Sequence, residues 1–390
     1  MKIAVVCDSF KGSLTSKDAC AAVKDGLLRC NKNFEVLSLP FADGGEGTSR
    51  CFYDILGGQL RKAAVHDPLL REITAEYTVL PDGTAVIDVA SASGLTLLKS
   101  SERDAVKVSS LGSGELIRDA AEHGAKHIIL GLGGSATTDA GTGILYALGM
   151  RFFSEDGVEV LPDGQDMIRV KKIRRTENFE RFKDIKFTLA CDVTNPLCGE
   201  NGAAYVFSPQ KGASKNDVKL LDDGLRNIGE IFEKASGKKI INLPGAGAAG
   251  GIGGGLSAFL NCELQSGFDV LARAASLEDK IRRSDAVITG EGKTDRQTLF
   301  GKLPKRVSDI AEKFGVPCIL LSGDVENDIS AEEIGVCEIH KIKENGISLE
   351  HCMKNAASLL SERAFAIGKD SKIINKQYSR KQEKMRENER

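Results

Sequence analysis

The chain contains no tryptophan, and aromatic residues make up only 5% of it, so its cores have to be built from aliphatic side chains. An excess of one charge is also missing. The 53 Lys and Arg stand against 55 Asp and Glu, a net charge of −2. A nucleic-acid binder should carry a strong basic excess, and a protein docking on an anionic membrane should too, so both partner classes are excluded. No stretch approaches the roughly 18 apolar residues of a membrane span. The run Ile3 to Val6 is too short for a secretory signal and reads as a first strand. The ten cysteines occur singly with no CxxC pair, and the five histidines form no HExxH or His/Cys cluster. That pattern excludes a zinc site and a disulfide framework, and it predicts reduced thiols in a cytoplasmic protein.

What the chain does have is glycine, 42 residues in clusters, where ordinary usage is roughly 7%. With 390 residues, 41% of them apolar, two domains are expected. Ile3 to Val6, a polar loop and a helix opened by the capping-box-like Thr15-Ser16-Lys17-Asp18 form one unit. Glu35 to Leu39, the loop around Asp43 and a helix to about Leu56 form the next. Repeated strand, loop and helix is the pattern of a doubly wound α/β sheet. Residues 59–80 and 84–90 instead alternate polar and apolar about the turn Pro81-Asp82-Gly83, which reads as a hairpin with one wet face. The α/β alternation resumes near Phe268, with a helix to Arg282 and strands at 286–289 and 318–321. Residues 1–62 and 265–370 therefore read as one domain made by both chain ends, and 63–264 as an inserted α/β domain. The almost wholly polar residues 371–390 read as a frayed helix or disordered tail.

Five strand ends carry acidic or glycine-rich loops, at Asp8, Asp43, Gly131 to Asp139, Asp192 and Gly290 to Asp295. Ligands of open α/β sheets gather at the carboxyl ends of strands. Acidic groups there suit a hydrated Mg²⁺, and glycine-rich backbone suits phosphate. Each loop has a structural alternative: Asp8 and Asp295 as helix caps, Asp43 and Asp192 as turn residues. Gly245 to Gly250 formally matches GxGxxG, but a short segment ending in Pro244 precedes it, so close backbone packing or a phosphate-facing loop is the better reading than NAD binding. Gly292-Lys293-Thr294 resembles the end of a Walker A loop, yet Val287 stands where its first glycine belongs. His66, His123 and His127 read as structural.

These loops, taken together and in order, resemble the bacterial-type glycerate kinase family. The matching segments include Asp8-Ser-Phe-Lys-Gly-Ser13, Phe41-Ala-Asp-Gly-Gly-Glu-Gly-Thr48 and Gly131-Leu-Gly-Gly-Ser-Ala-Thr137. They continue through Ala190-Cys-Asp-Val-Thr-Asn-Pro-Leu197, Ser208-Pro-Gln-Lys-Gly-Ala213 and Ile288-Thr-Gly-Glu-Gly292. Two departures stand out: Cys7 precedes Asp8 where the family has proline, and Thr138-Asp139-Ala140-Gly141 replaces Asn-Asp-Gly-Gly.

The resemblance implies ATP- and Mg²⁺-dependent phosphorylation of D-glycerate, 2-phosphoglycerate being favoured over 3-phosphoglycerate, with a kinase for another small hydroxy or sugar acid as the alternative. It also implies a flavodoxin-like domain with a second α/β domain inserted. A monomer or homodimer is expected. Chemical roles follow as expectations. The amides of Gly133, Gly134 and Ser135, at the start of a helix, would hold phosphates, and Lys11 or Lys293 would offset charge on the transferred group. Asp192 and Asp295 would hold Mg²⁺, Asp192 acting in catalysis, and Asp43 would accept the hydroxyl proton. Asp8, Ser9 and an arginine fork from Arg71 or Arg296 would bind the substrate.

Overall fold

The computed structural model describes residues 1–42, 44–161, 163–344 and 346–379. The chain divides into two compact units, Met1–Asp43 with Leu271–Arg390, and Gly44–Val270. The sequence pattern put the change of domain near residue 62. The division falls earlier because the helix Thr48–Leu56 packs on the strands Glu72–Val79 and Ala85–Asp88 of the second unit.

The first unit is built on a five-stranded parallel sheet. Its spatial order is Glu35–Pro40, Lys2–Cys7, Ala286–Gly290, Cys318–Ser322, Glu338–Lys341. Numbered by their own chain order, the strands lie 2-1-3-4-5. Lys2–Cys7 and Ala286–Gly290 are apolar throughout and buried on both faces, as parallel strands require. Ile3, Val5, Ile288, Ile319 and Leu321 face one core with residues of Ser16–Cys30 and Ala356–Asp370, while Leu303–Lys313 packs on the third and fourth strands. The first helix starts where its sequence says, since the Thr15 side chain accepts from the Asp18 amide and satisfies an orphan N–H. The expected single helix to Arg282 is two, Gly267–Ala274 and Leu277–Arg282, broken at Ser276, whose φ is +51°. Part of the segment expected to be a polar tail is folded: residues 372–379 are helical, Ile374 is buried in the core, and the Tyr378 ring meets Phe34 edge-on at 5.9 Å.

The second unit carries a six-stranded mixed sheet. Asn261–Gln265, Lys186–Ala190, His127–Gly131 and Ala85–Asp88 run parallel, followed by Glu72–Val79 and Gln59–His66 antiparallel. The stretch read as one strand over 59–80 is two. The Asp67 carboxylate accepts from the amides of Leu69 and Arg71 and closes a tight turn there. Alternate residues of both strands are exposed, the wet face that their pattern predicted. Lys215–Ser236 buries Val218, Leu221, Leu225, Ile228 and Phe232 along one side; a Ser214/Asp217 capping box opens it and Gly237 in the left-handed region ends it. The second glycine cluster packs backbone against backbone. Gly250 has φ +70°, and a Cβ on it would lie 1.9 Å from the Thr137 carbonyl oxygen.

The ten cysteines are free. Among the described residues no helix is long and apolar enough to cross a membrane.

Candidate active site

Four strand ends of the first unit share one cavity of about 650 Å³, a size suited to a cofactor or small ligand. Asp8 directly follows Lys2–Cys7 and Glu291 directly follows Ala286–Gly290, while Asp324 and Lys343 are the second residues after Cys318–Ser322 and Glu338–Lys341. These are all carboxyl ends. The strand order reverses between Lys2–Cys7 and Ala286–Gly290, which is where open α/β sheets bind ligands.

The cavity carries four lysines, Lys11, Lys293, Lys302 and Lys343. Three of them face carboxylates. Lys343 Nζ lies 2.6 Å from Asp324, Lys293 Nζ 2.8 Å from Glu326 and Lys302 Nζ 3.3 Å from Asp295. The hydrogen bond to Glu326 holds the Lys293 ammonium above its ordinary range. Glu291 is buried, and burial pushes its carboxyl up, opposed by the hydroxyls of Thr298 and Thr294 at 2.7 and 3.0 Å. The walls are stiff. Lys293–Thr294 and Asp324–Val325 form a two-stranded parallel ladder, and the Gly323 amide donates to the Glu291 carbonyl at 3.0 Å.

The structure thus brings together Asp8, Ser9, Lys11, Lys293 and Asp295 of the residues singled out from sequence. Asp8 accepts from the Ser9 amide at 2.6 Å. Asp295 also caps the short turn of helix Arg296–Phe300, accepting from the Gln297 amide at 2.9 Å. Arg296 points away into an exposed pair, its Nε 2.8 Å from Asp328.

The second unit holds the remainder. Gly131 to Asp139 leaves His127–Gly131 as predicted, but no helix begins at Gly133; the next is Thr142–Ala147. The loop is instead stitched into its surroundings. The Gly133 amide donates to the Gly44 carbonyl at 3.1 Å, and residues 94 and 135 form an antiparallel bridge. A Cβ on Gly133 would sit 2.4 Å from the Gly45 Cα, so only glycine fits there. Asp192 is exposed in the loop after Lys186–Ala190. Arg71 is engaged by two carboxylates, with Nε 2.6 Å from Asp67 and a terminal nitrogen 2.9 Å from Glu102. Asp43 lies outside the described residues. His66 faces Glu115 at 3.0 Å and His127 faces Thr188 at 2.9 Å, both as structural partners.

Two residues of this unit were not singled out by sequence reasoning. Lys211, in the segment Ser208 to Ala213, is buried, and its Nζ donates to the Ser135 hydroxyl at 3.0 Å and the Thr137 carbonyl at 2.6 Å. Burial pushes its ammonium down to about 7, with Asp139 opposing. Asp139 is itself buried and held by the amide and hydroxyl of Ser110 at 2.9 and 2.7 Å. Asp88, at the end of Ala85–Asp88, accepts from the amides of Gly47 and Ser49 at 2.9 and 3.0 Å, and burial pushes its carboxyl up to about 7. The sign of Lys211 in the sequence was its place in the segment Ser208-Pro-Gln-Lys-Gly-Ala213, one of those that resemble the family. Asp88 was hidden because it completes an alternating strand.

A strand-end cavity set with paired lysines and carboxylates suits a bound polyanion, and the comparisons give the class: the protein is an enzyme, a kinase, with a mixed α/β fold containing parallel sheets. A model described as the Glycerate kinase family matches residues 3–372. A glycerate kinase of Halalkalibacterium halodurans is 38% identical over 93% of this chain and 96% of its own. The glycerate 2-kinase of Escherichia coli K12 is 41% identical over 84% of this chain and 87% of its own. A Salmonella typhimurium LT2 protein proposed to be glycerate kinase 2 has a crystal structure that superposes with a TM-score of 0.83 at 35% identity, covering 94% of this chain and 97% of the other. The chain belongs to the glycerate kinase family.

Proposed function

We propose that this protein transfers the terminal phosphoryl group of ATP to D-glycerate, giving 2-phosphoglycerate. The observation that carries the reading is the first-unit cavity, where four lysines meet at the carboxyl ends of four parallel strands in a member of the glycerate kinase family. The 2-1-3-4-5 parallel order supports a flavodoxin-like, doubly wound arrangement for that unit. The preference for the 2-phosphate is supported by the likeness to a protein named glycerate 2-kinase. Free thiols suit the cytoplasm, the proposed location.

Phosphoryl transfer depends on positioning and on neutralising charge over the transferred group. Lys11 and Lys293 are the proposed cations for that group. Gly134 and Ser135 are the proposed phosphate-binding amides, the Gly133 amide being already bonded to the Gly44 carbonyl, and Lys211 ties their loop through the Ser135 hydroxyl and the Thr137 carbonyl. Asp43 is the proposed acceptor of the glycerate hydroxyl proton. Arg71 and Arg296 each already serve a carboxylate, so binding the glycerate carboxylate there would require exchanging one anion for another.

Mg²⁺ fits the donor set. Asp8, Asp295 and Asp324 offer hard carboxylate oxygens in the cavity. No three acidic, histidine or cysteine residues cluster among the described residues. An ion held by one or two carboxylates plus water and nucleotide phosphates is the usual mode for Mg²⁺, and it would neutralise phosphate charge. The interleaved carboxylates also predict that magnesium-bound nucleotide binds better than the bare polyanion.

The test is a coupled assay of ADP release with ATP, Mg²⁺ and D-glycerate, the product resolved by phosphorus NMR. Glycerate-dependent release with a 2-phosphoglycerate signal is expected. Release with another small hydroxy acid but not with glycerate would overturn the acceptor assignment.

A further inference from the structure

The first-unit cavity has a second character that the lysines do not explain. Part of the lining is apolar and comes from Phe10, between Asp8 and Lys11, and from the segment Leu349, Cys352, Met353 and Ala356. Those four positions follow helical spacing, so they form one stripe along Leu349–Lys354 and into the helix that follows. Cys352 and Ala356 are buried, as an ordinary packed stripe would be. Leu349 and Met353 are not: they are 61% and 37% exposed while lining the cavity. A short helix that could have turned polar residues to water instead keeps two large apolar side chains, one turn apart, on a cavity wall.

That wall is held in place. The Ser348 side chain accepts from the His351 amide and caps the helix. The Ser13 hydroxyl donates to the Met353 carbonyl at 2.6 Å, tying the helix to the loop that carries Asp8 and Lys11. The apolar wall and the lysine wall are therefore fixed with respect to each other at one rim.

We infer that this cavity is the nucleotide site, with the purine base lying on Leu349 and Met353 and the phosphates reaching the lysines of the loops after Cys7 and Gly290. A flat aromatic base gains from burial against aliphatic surface and from contact with a polarizable thioether. A phosphate chain needs the opposite, cations on stiff loops. A small hydroxy acid such as glycerate has no group that would use the apolar wall, so the two-sided lining selects the nucleotide over the acceptor. The inference rests on the ATP-dependent reading above and adds to it where the base sits.

The test is isothermal titration of the wild type and of the double variant Leu349→Ser/Met353→Ser with Mg·ADP and with Mg·pyrophosphate, which has the phosphates without the base. Both side chains are partly exposed, so the variant should fold, and an unchanged circular dichroism spectrum and melting profile check that. The expected result is at least a tenfold rise in the Kd for ADP with the Kd for pyrophosphate within about twofold. An unchanged ADP affinity, an equal loss for both ligands, or a wild type that fails to bind ADP would each overturn the assignment. Because no acceptor is present, the titration is independent of the assay of ADP release with glycerate. That assay can fail while the base site stands, and it can succeed while the base site falls.

Discussion

Replacing Lys211 by methionine isolates the consequence of burying an amine beneath the Gly131 to Asp139 loop. The folded Lys211 gives up its proton near 7, against an ordinary value of 10.5. Between those values the unfolded chain binds more protons than the folded one, so the wild type gains stability as pH rises, by up to about 1.4 kcal/mol per unit. From pH 7 to 9 the gain is about 2 kcal/mol, less than the full slope because Lys211 is still titrating at pH 7. Lys211→Met lacks this slope. It also leaves the Ser135 hydroxyl and the Thr137 carbonyl without a donor, but that loss of roughly 1 kcal/mol each does not vary with pH. Urea unfolding of both proteins at pH 7, 8 and 9 measures the difference, with the transitions of the two units read separately. The wild type should gain on the variant by about 2 kcal/mol across the window. Parallel profiles would refute the burial argument and show that Lys211 keeps its proton in the fold.

Three further outcomes are expected. Asp88 titrates in the folded state near 7 instead of 3.8, so the folded state holds the extra proton and its contribution is lost as pH rises; from pH 6 to 8 the wild type should lose about 1 kcal/mol relative to Asp88→Asn, read by the same unfolding titration. Gly250→Ala puts a methyl 1.9 Å from the Thr137 carbonyl oxygen at a φ of +70°, and should destabilise the second unit by at least about 2 kcal/mol in thermal or urea unfolding. Asp43→Asn should lower kcat by roughly 10²- to 10⁴-fold with an unchanged circular dichroism spectrum; near-normal turnover would remove Asp43 from the role of base.

Most strands were legible because parallel strands buried on both faces are short, continuous apolar runs, as in Lys2–Cys7 and Ala286–Gly290. Helix starts were legible where a side chain caps them, as at Thr15. Breaks were less legible. The turn at Asp67 to Arg71 rests on one carboxylate bonded to two amides, and the break at Ser276 on a left-handed residue with no glycine to announce it. The packing of the tail's first turns was not legible because only Ile373, Ile374 and Tyr378 of residues 371–379 are apolar. The candidate site was legible as loops and not as partnerships. Nothing local to Arg71 shows that Glu102 will meet it, and nothing local to Lys211 shows that Ser135 will, since both contacts join residues far apart in the chain.

The position of a polar residue relative to its strand end sets how firmly it is held. Asp8 and Glu291 are the first residues beyond strands that pair on both sides, so their backbone inherits the ladder; the Asp8 amide still donates to the Gly290 carbonyl at 2.9 Å. Asp88 is the last residue of a strand and is fixed further by two amides. Asp295 and Arg296 come several residues later and depend on a local cap and a solvent-exposed ion pair, which is worth little on its own. Preorganised charge is effective in catalysis because it need not be rearranged during the reaction. The strand-end carboxylates are therefore the better candidates for groups that act on the transferred phosphoryl, and the later residues of the same loops are better suited to adjusting around whichever ligand is bound.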